Sequence, residues 1–188
     1  IAGVINIILK NDVPTDFATT VGQTSEGDGT VNQFSGSHSL HFGNAFLTLS
    51  GEFRFRDSTN RSLPDTRQQY FAGDPRNSNK PVQNHWQGDA KTTDFGGFLS
   101  FGKPLGTNAE VYAFGGVTQR DGKSAGFFRR PLDDRTVRSI HPNGFLPQIT
   151  SDILDYSLAG GIKGTRRNWN YDLSLVHGYN RFGFGVEN

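Results

Sequence analysis

The chain has 188 residues, one domain's worth, and its 19 Lys+Arg against 18 Asp+Glu give nucleic acid no basic surface to grip. It has no Cys, so disulfides and thiolate metal sites are excluded, and its mean hydropathy of −0.54 with no long apolar run excludes a membrane-spanning helix. Hydrophobic residues reach only 34% beside 24 Gly and 16 Phe, a balance suited to strands that are apolar on one face only.

Taken in order, Ile1–Lys10 (IAGVINIILK) is a β-branched run that Pro14 breaks, and it reads as a strand. Phe17–Thr24 reads as the next strand, and Ser25–Gly29 as a tight turn in which Asp28-Gly29 supplies positive φ. In Thr30–Phe42, the residues Phe34, Gly36, His38, Leu40 and Phe42 alternate with Ser35, Ser37, Ser39 and His41. Gly43-Asn44 is a turn. Ala45–Arg56 alternates most clearly, with Leu47, Leu49, Gly51, Phe53 and Phe55 on one face and Thr48, Ser50, Glu52, Arg54 and Arg56 on the other.

A long polar segment, Asp57–Lys91, leads to a strand over Thr92–Phe101, a turn over Gly102–Asn108 and a strand over Ala109–Gln119. A second long segment runs from Arg120 to Asp152. Two strands then flank a turn at Arg166–Asn168 within Asp155–Phe184. Tyr156, Leu158, Gly160 and Ile162 share one face of the first, and Trp169, Tyr171, Leu173, Leu175, His177 and Tyr179 share one face of the second. Connections therefore run short, short, long, short, long, short. The long ones all fall at one end, the asymmetry of a transmembrane β-barrel.

In a barrel, Arg at the midplane of the lipid face costs roughly 2–4 kcal/mol. Glu52, Arg54 and Arg56 are therefore expected to face the lumen, paired with residues of a plug. Tyr70, Phe71 and Trp86 in the first long segment, and Phe127, Phe128, Arg129 and Arg130 in the second, are the candidate ligand contacts. Aromatic rings stack on sugars or flat chelates, and Arg pairs with anions.

Other motifs dissolve on inspection. Five residues intervene between Gly116 and Gly122-Lys123-Ser124, where a phosphate loop needs four. His38, His41, His85, His141 and His177 form no helical ligand pair. No nucleophile elbow or catalytic carboxylate pair occurs, so neither enzyme activity nor a cofactor is expected. The Asn60-Arg61-Ser62 sequon is incidental.

Ile1–Leu9 (IAGVINIIL) resembles the last plug strand of TonB-dependent outer-membrane receptors. His141–Pro147 (HPNGFLP), followed by Asp155–Leu158 (DYSL) and the strand with Trp169 and Asp172–Leu175 (DLSL), resembles a phrase of the same family. The resemblance implies an all-β fold: 1–10 as the end of the plug, 11–16 as linker, and 17–188 as about seven strands of a 22-stranded antiparallel barrel. It also implies energised uptake of a ferric siderophore, vitamin or saccharide across the outer membrane of a Gram-negative bacterium. The implied partners are the TonB–ExbB–ExbD complex, outer-membrane lipid and lipopolysaccharide. The TonB box and most of a plug are missing, so the chain is expected to be a stretch of a longer receptor. The alternatives are a small outer-membrane barrel with a structural or adhesive role and a soluble carbohydrate-binding β-sandwich.

Overall fold

Alternation of apolar and polar side chains builds seven antiparallel strands that pair strictly in chain order. A computed structural model describes Gly3, Ile8, Leu9, residues 13–79 and residues 81–187. The strands are β1 (Asp16–Gly22), β2 (Val31–Phe42), β3 (Ala45–Arg56), β4 (Lys91–Leu105), β5 (Ala109–Ala125), β6 (Gln148–Arg166) and β7 (Trp169–Glu187). They form one open sheet in the order β1-β2-β3-β4-β5-β6-β7. Among the described residues there is no α-helix, only a 3-10 turn at Pro75–Ser78.

The plug-like strand predicted over Ile1–Lys10 lies outside the described residues except for Gly3, Ile8 and Leu9, which carry no regular structure. Of the predicted linker, residues 13–15 are irregular and Asp16 already belongs to β1.

Register carries the design. Phe34, Phe53 and Phe95 stand opposite one another across β2, β3 and β4. A second row runs His38, Leu49, Leu99, Gly115, Leu158 and His177 across β2 to β7. Because side chains alternate with period two, these rows gather every predicted apolar series onto one face. That face is bare: Leu49 is 44% exposed, Phe95 54% and Leu175 80%. The only buried hydrophobic residues described are Ala45, Phe128 and Ala159. The total accessible surface is 13139 Å², whereas a compact monomer of this mass exposes about 8,900 Å². Among the described residues the sheet thus has no second layer.

Ala45–Arg56 matches its predicted bounds, but boundaries of the other strands move, and β6 begins at Gln148, inside the long segment predicted to run to Asp152. β1 ends at Gly22, two residues before the predicted Thr24. β4 runs through Pro104 to Leu105, into the stretch predicted as the turn Gly102–Asn108. The Pro104 nitrogen points toward β3 beyond the last β3 pair, Phe46 with Gly102, so no ladder bond is lost. β5 continues from Gln119 to Ala125 because its polar end pairs with Lys91–Asp94 on one side and Gln148–Ile153 on the other. Tertiary pairing overrides the loop-like composition.

A further feature appears beyond Tyr179. Phe182, Phe184 and Val186 lie on the opposite face from Tyr179, together with Ile149 and Ile153 of β6. The face that is apolar below turns charged there, with Asp121, Lys123, Asp152, Arg181 and Glu187. The hydrophobic phase reverses toward the long-loop end of the sheet.

Close strand approach sets one testable limit. A Cβ on Gly115 would meet Ser157 O at 2.3 Å and Leu158 Cα at 3.0 Å, both backbone, whereas one on Gly51 would meet nothing nearer than Gly96 O at 3.7 Å. Gly115→Ala is expected to destabilise the sheet by about 1–3 kcal/mol and Gly51→Ala hardly at all. Thermal unfolding of the two variants side by side checks this, and equal midpoints would refute the close approach.

Candidate functional site

Two places gather side chains with chemistry: the charged strip of the polar face, and the assembly made by the long loops. On the polar face, period two brings Arg54, Asp94 and Arg120 into one row across β3, β4 and β5. Arg54 donates to the Asp94 carboxylate through Nε at 3.0 Å and an η nitrogen at 2.9 Å, and Arg120 Nε donates to its other oxygen. Glu52 accepts from Gln33 Nε2 at 3.1 Å. Arg56 lies 3.8 Å from Asp89. Within the sheet and its adjoining loop all three have a partner, beside any that a plug would supply. A cavity of about 330 Å³ opens beside this row, lined by Glu52, Arg54, Asp94, Arg120, Ile153 and Asp155.

The loop assembly is built from residues 57–90 and 126–147. Asp65 anchors the first loop. Its oxygens accept from Arg67 Nε at 2.8 Å, an Arg67 η nitrogen at 2.7 Å and Asn84 Nδ2 at 3.2 Å, and its backbone bonds Val82. The Arg67 guanidinium holds the Asp65 carboxyl well below the usual carboxylate range, against the opposing push of burial. Arg67 also donates to His85 Nε2 at 3.0 Å. A guanidinium cannot accept, so the neutral His85 ring carries its proton on Nδ1, toward Asp65 at 3.9 Å.

The second loop closes on the first. Arg129 and Phe145 exchange two backbone bonds, at 2.9 and 3.0 Å, around a turn whose Gly144 has φ 78°. A Cβ on Gly144 would strike Arg129 O at 2.4 Å. Between the loops, Arg130 donates to Gln68 O at 2.8 Å, Leu132 N to Gln69 O at 3.2 Å, and the Tyr70 hydroxyl to Asn143 Oδ1 at 3.1 Å. The short connection joins them, where Arg61 bridges both oxygens of Asp28. That ion pair depresses the Asp28 carboxyl far below its ordinary range.

The seven candidate contacts now have places. Tyr70 lines a cavity of about 700 Å³ and carries the Arg76 guanidinium 3.9 Å above its ring. Phe128 is buried at the wall between that cavity and a second of about 720 Å³. Trp86 faces the second cavity, and its indole N–H is spent on Thr59 O at 2.7 Å. Phe127 sits edge-on to His85 at 5.6 Å with Arg67 over its ring. Phe71 is exposed under Arg138 at 5.2 Å. Arg129 joins the turn through its backbone, and Arg130 ties the loops through one η nitrogen on Gln68 O.

Two clusters read separately in the sequence are thus one assembly. What sequence reasoning missed is the carboxamide lining of the Tyr70 cavity, which includes Gln68, Gln69, Asn77, Gln83, Asn84 and Asn143. The density of Asn and Gln between Gln68 and Gln87 was the available signal. Among the described residues, no group of three or more His, Asp and Glu side chains is placed to hold a metal ion. Comparison with family models, curated proteins and solved structures gives no match.

The Asp65 anchor gives a pH prediction. A carboxyl whose folded value is depressed stabilises fully above its unfolded value of about 4, and that contribution is lost only as pH falls through the lower folded value. Trp86 emission, read in a Trp169→Phe protein, is expected to stay constant from pH 8 to 5. Asp65→Asn is expected to speed amide exchange at Arg61 and Arg129 roughly tenfold, since the lost ion pair and hydrogen bonds are worth about 1–3 kcal/mol, discounted for the one-third exposure of Arg67. Unchanged exchange would remove Asp65 from its anchoring role.

Proposed function

We propose that this chain is part of an outer-membrane receptor of the TonB-dependent type, with its apolar face on lipid, its polar face on the barrel lumen and its long loops toward the outside. The observation that carries this reading is a seven-strand sheet with one continuous bare apolar face. On β7 the apolar series of that face runs from Trp169 to Tyr179, with aromatic residues at both ends. Those eleven or so residues rise about 36 Å, or about 25 Å at a 45° tilt, which is the height of the apolar band of such barrels. Tyr156 stacks on Tyr179 with centroids 5.2 Å apart, at the level of an interfacial girdle.

The reversal of phase beyond Tyr179 supports the same picture. Strands β6 and β7 have 19 residues each, whereas about 9–11 span a bilayer. The excess would stand in water outside the membrane, where the outward face turns charged and the inward face turns apolar against loops. In this reading Glu52, Arg54 and Arg56 border the lumen, the loop assembly meets the ligand, and uptake of a scarce nutrient draws on the TonB–ExbB–ExbD complex. A soluble sandwich would need a second sheet over Leu49, Leu158 and Leu175, and the described residues offer none.

These 188 residues have no Cys, so each introduced thiol is the only one in this stretch, and the full-length protein without it is the control. Leu49→Cys and Leu175→Cys, each placed in the full-length protein, are expected to resist a charged maleimide in intact cells and to react with a lipid-soluble one. Arg135→Cys in the second long loop is expected to react with the charged reagent. Recovery of the protein in the soluble fraction, with Leu49→Cys open to the charged reagent, would overturn the reading in favour of a soluble β-protein.

A further inference from the structure

Of the two loop cavities, the one of about 700 Å³ lined by Tyr70 has a wall whose charges are already cancelled and whose carboxamides are not. Arg67 is held by Asp65 at 2.7 Å, and Arg76 by Asp74 at 2.7 Å, both through paired contacts. Neither guanidinium is left to hold an anionic chelate. Five carboxamide groups of the wall keep at least one atom without a partner among the described residues: Gln68 Oε1, Gln83 Oε1, the buried Asn84 Oδ1, Asn143 Nδ2 and the whole Asn79 side chain. Their orientation is fixed by the other end of each amide. Gln68 Nε2 donates to Tyr70 O at 2.7 Å, Gln83 Nε2 to Ser62 O at 2.8 Å, and Asn143 Oδ1 accepts from Tyr70. The wall therefore presents fixed acceptors, a fixed donor and one adaptable amide around about 700 Å³, ample for a ligand of several rings.

We propose that this cavity is a binding site for a neutral, hydroxyl-rich ligand, an oligosaccharide segment. Each sugar hydroxyl both donates and accepts, which matches a wall of mixed amide oxygens and nitrogens, and the Tyr70 ring supplies a surface for the sugar's C–H face. A peptide would be read through a free strand edge and alternating side-chain pockets. Here the extended pair of the wall, Asp65 with Val82, already bonds to itself. The inference rests on the receptor reading above and narrows its nutrient to a saccharide.

The test uses the full-length protein extracted from the membrane in detergent. The probes are malto-, cello-, xylo- and manno-hexaose, an uncharged Ala/Gly/Ser hexapeptide and a ferric hydroxamate, all followed by calorimetry. At least one saccharide series is expected to bind, with Asn79→Ala and Asn143→Ala each weakening it about tenfold or more. The Asn79 side chain supports no described contact, so the first variant keeps the loop fold. Failure of every saccharide, saccharide binding that neither variant changes, or binding of the peptide or chelate alone would each overturn the proposal. A protein that resides in the membrane as the maleimide experiment expects but binds no saccharide sinks only this inference, whereas a soluble protein sinks the reading beneath it.

Discussion

Everything in this molecule depends on register. Six ladders run in sequence without a slip, and each places residue against residue so that apolar series from seven strands meet on one face. A shift of one residue in any ladder would carry that strand's apolar row to the charged face and its charges to the apolar one. Short turns hold the register at one end. Gly43 and Gly106 adopt φ of 65° and 68°, and Arg167 adopts 55°, so three tight connections can reverse the chain without lengthening it. The other end is free to carry long loops because the ladders are already aligned.

Charge is handled by internal pairing. The Arg54–Asp94–Arg120 row, the Asp65–Arg67 anchor and the Asp28–Arg61 bridge each oppose a guanidinium to a carboxylate with more than one hydrogen bond. Bidentate geometry matters here because an exposed single contact between long side chains adds little stability. It also fixes the planes of the side chains. In the loops those planes become floors for rings, as Arg67 does for Phe127 and Arg76 for Tyr70. The same pairing that orders the loops strips their cavity of free charge.

The strands were legible in the sequence wherever one period of two ran undisturbed. Ala45–Arg56 shows this best, since its Leu/Phe and Thr/Arg series coincide with the two faces of β3. Legibility failed where the cause was not local. Nothing in Arg120–Ser124 looks like a strand, and it becomes one because both neighbours reach that height. Pro104 reads as a break but is harmless, since β3 has already ended beside it. Between Tyr179 and Phe182 the apolar series changes face, which a rule of fixed alternation cannot anticipate. The cavity was hidden for the same reason. Its aromatic residues were visible in the sequence, but its amides gain their meaning only from contacts such as Tyr70 with Asn143, far apart along the chain.

The backbone bonds that join residues 57–90 to residues 126–147 have a consequence for how this surface can change. Gln69 O accepts from Leu132 N, and Gln68 O is held by Arg130, so each loop is part of the other's scaffold. The loops are thus inherited as a pair. Recombination that exchanged one without the other would leave carbonyls and guanidiniums facing strangers, while exchange of β4 and β5 together with both loops would keep the bonds between the loops and give up those to Asp28 and Gly29. Changes to this surface are therefore expected to arrive in blocks spanning about ninety residues, or by point changes among the unengaged amides, and rarely by swapping a single loop.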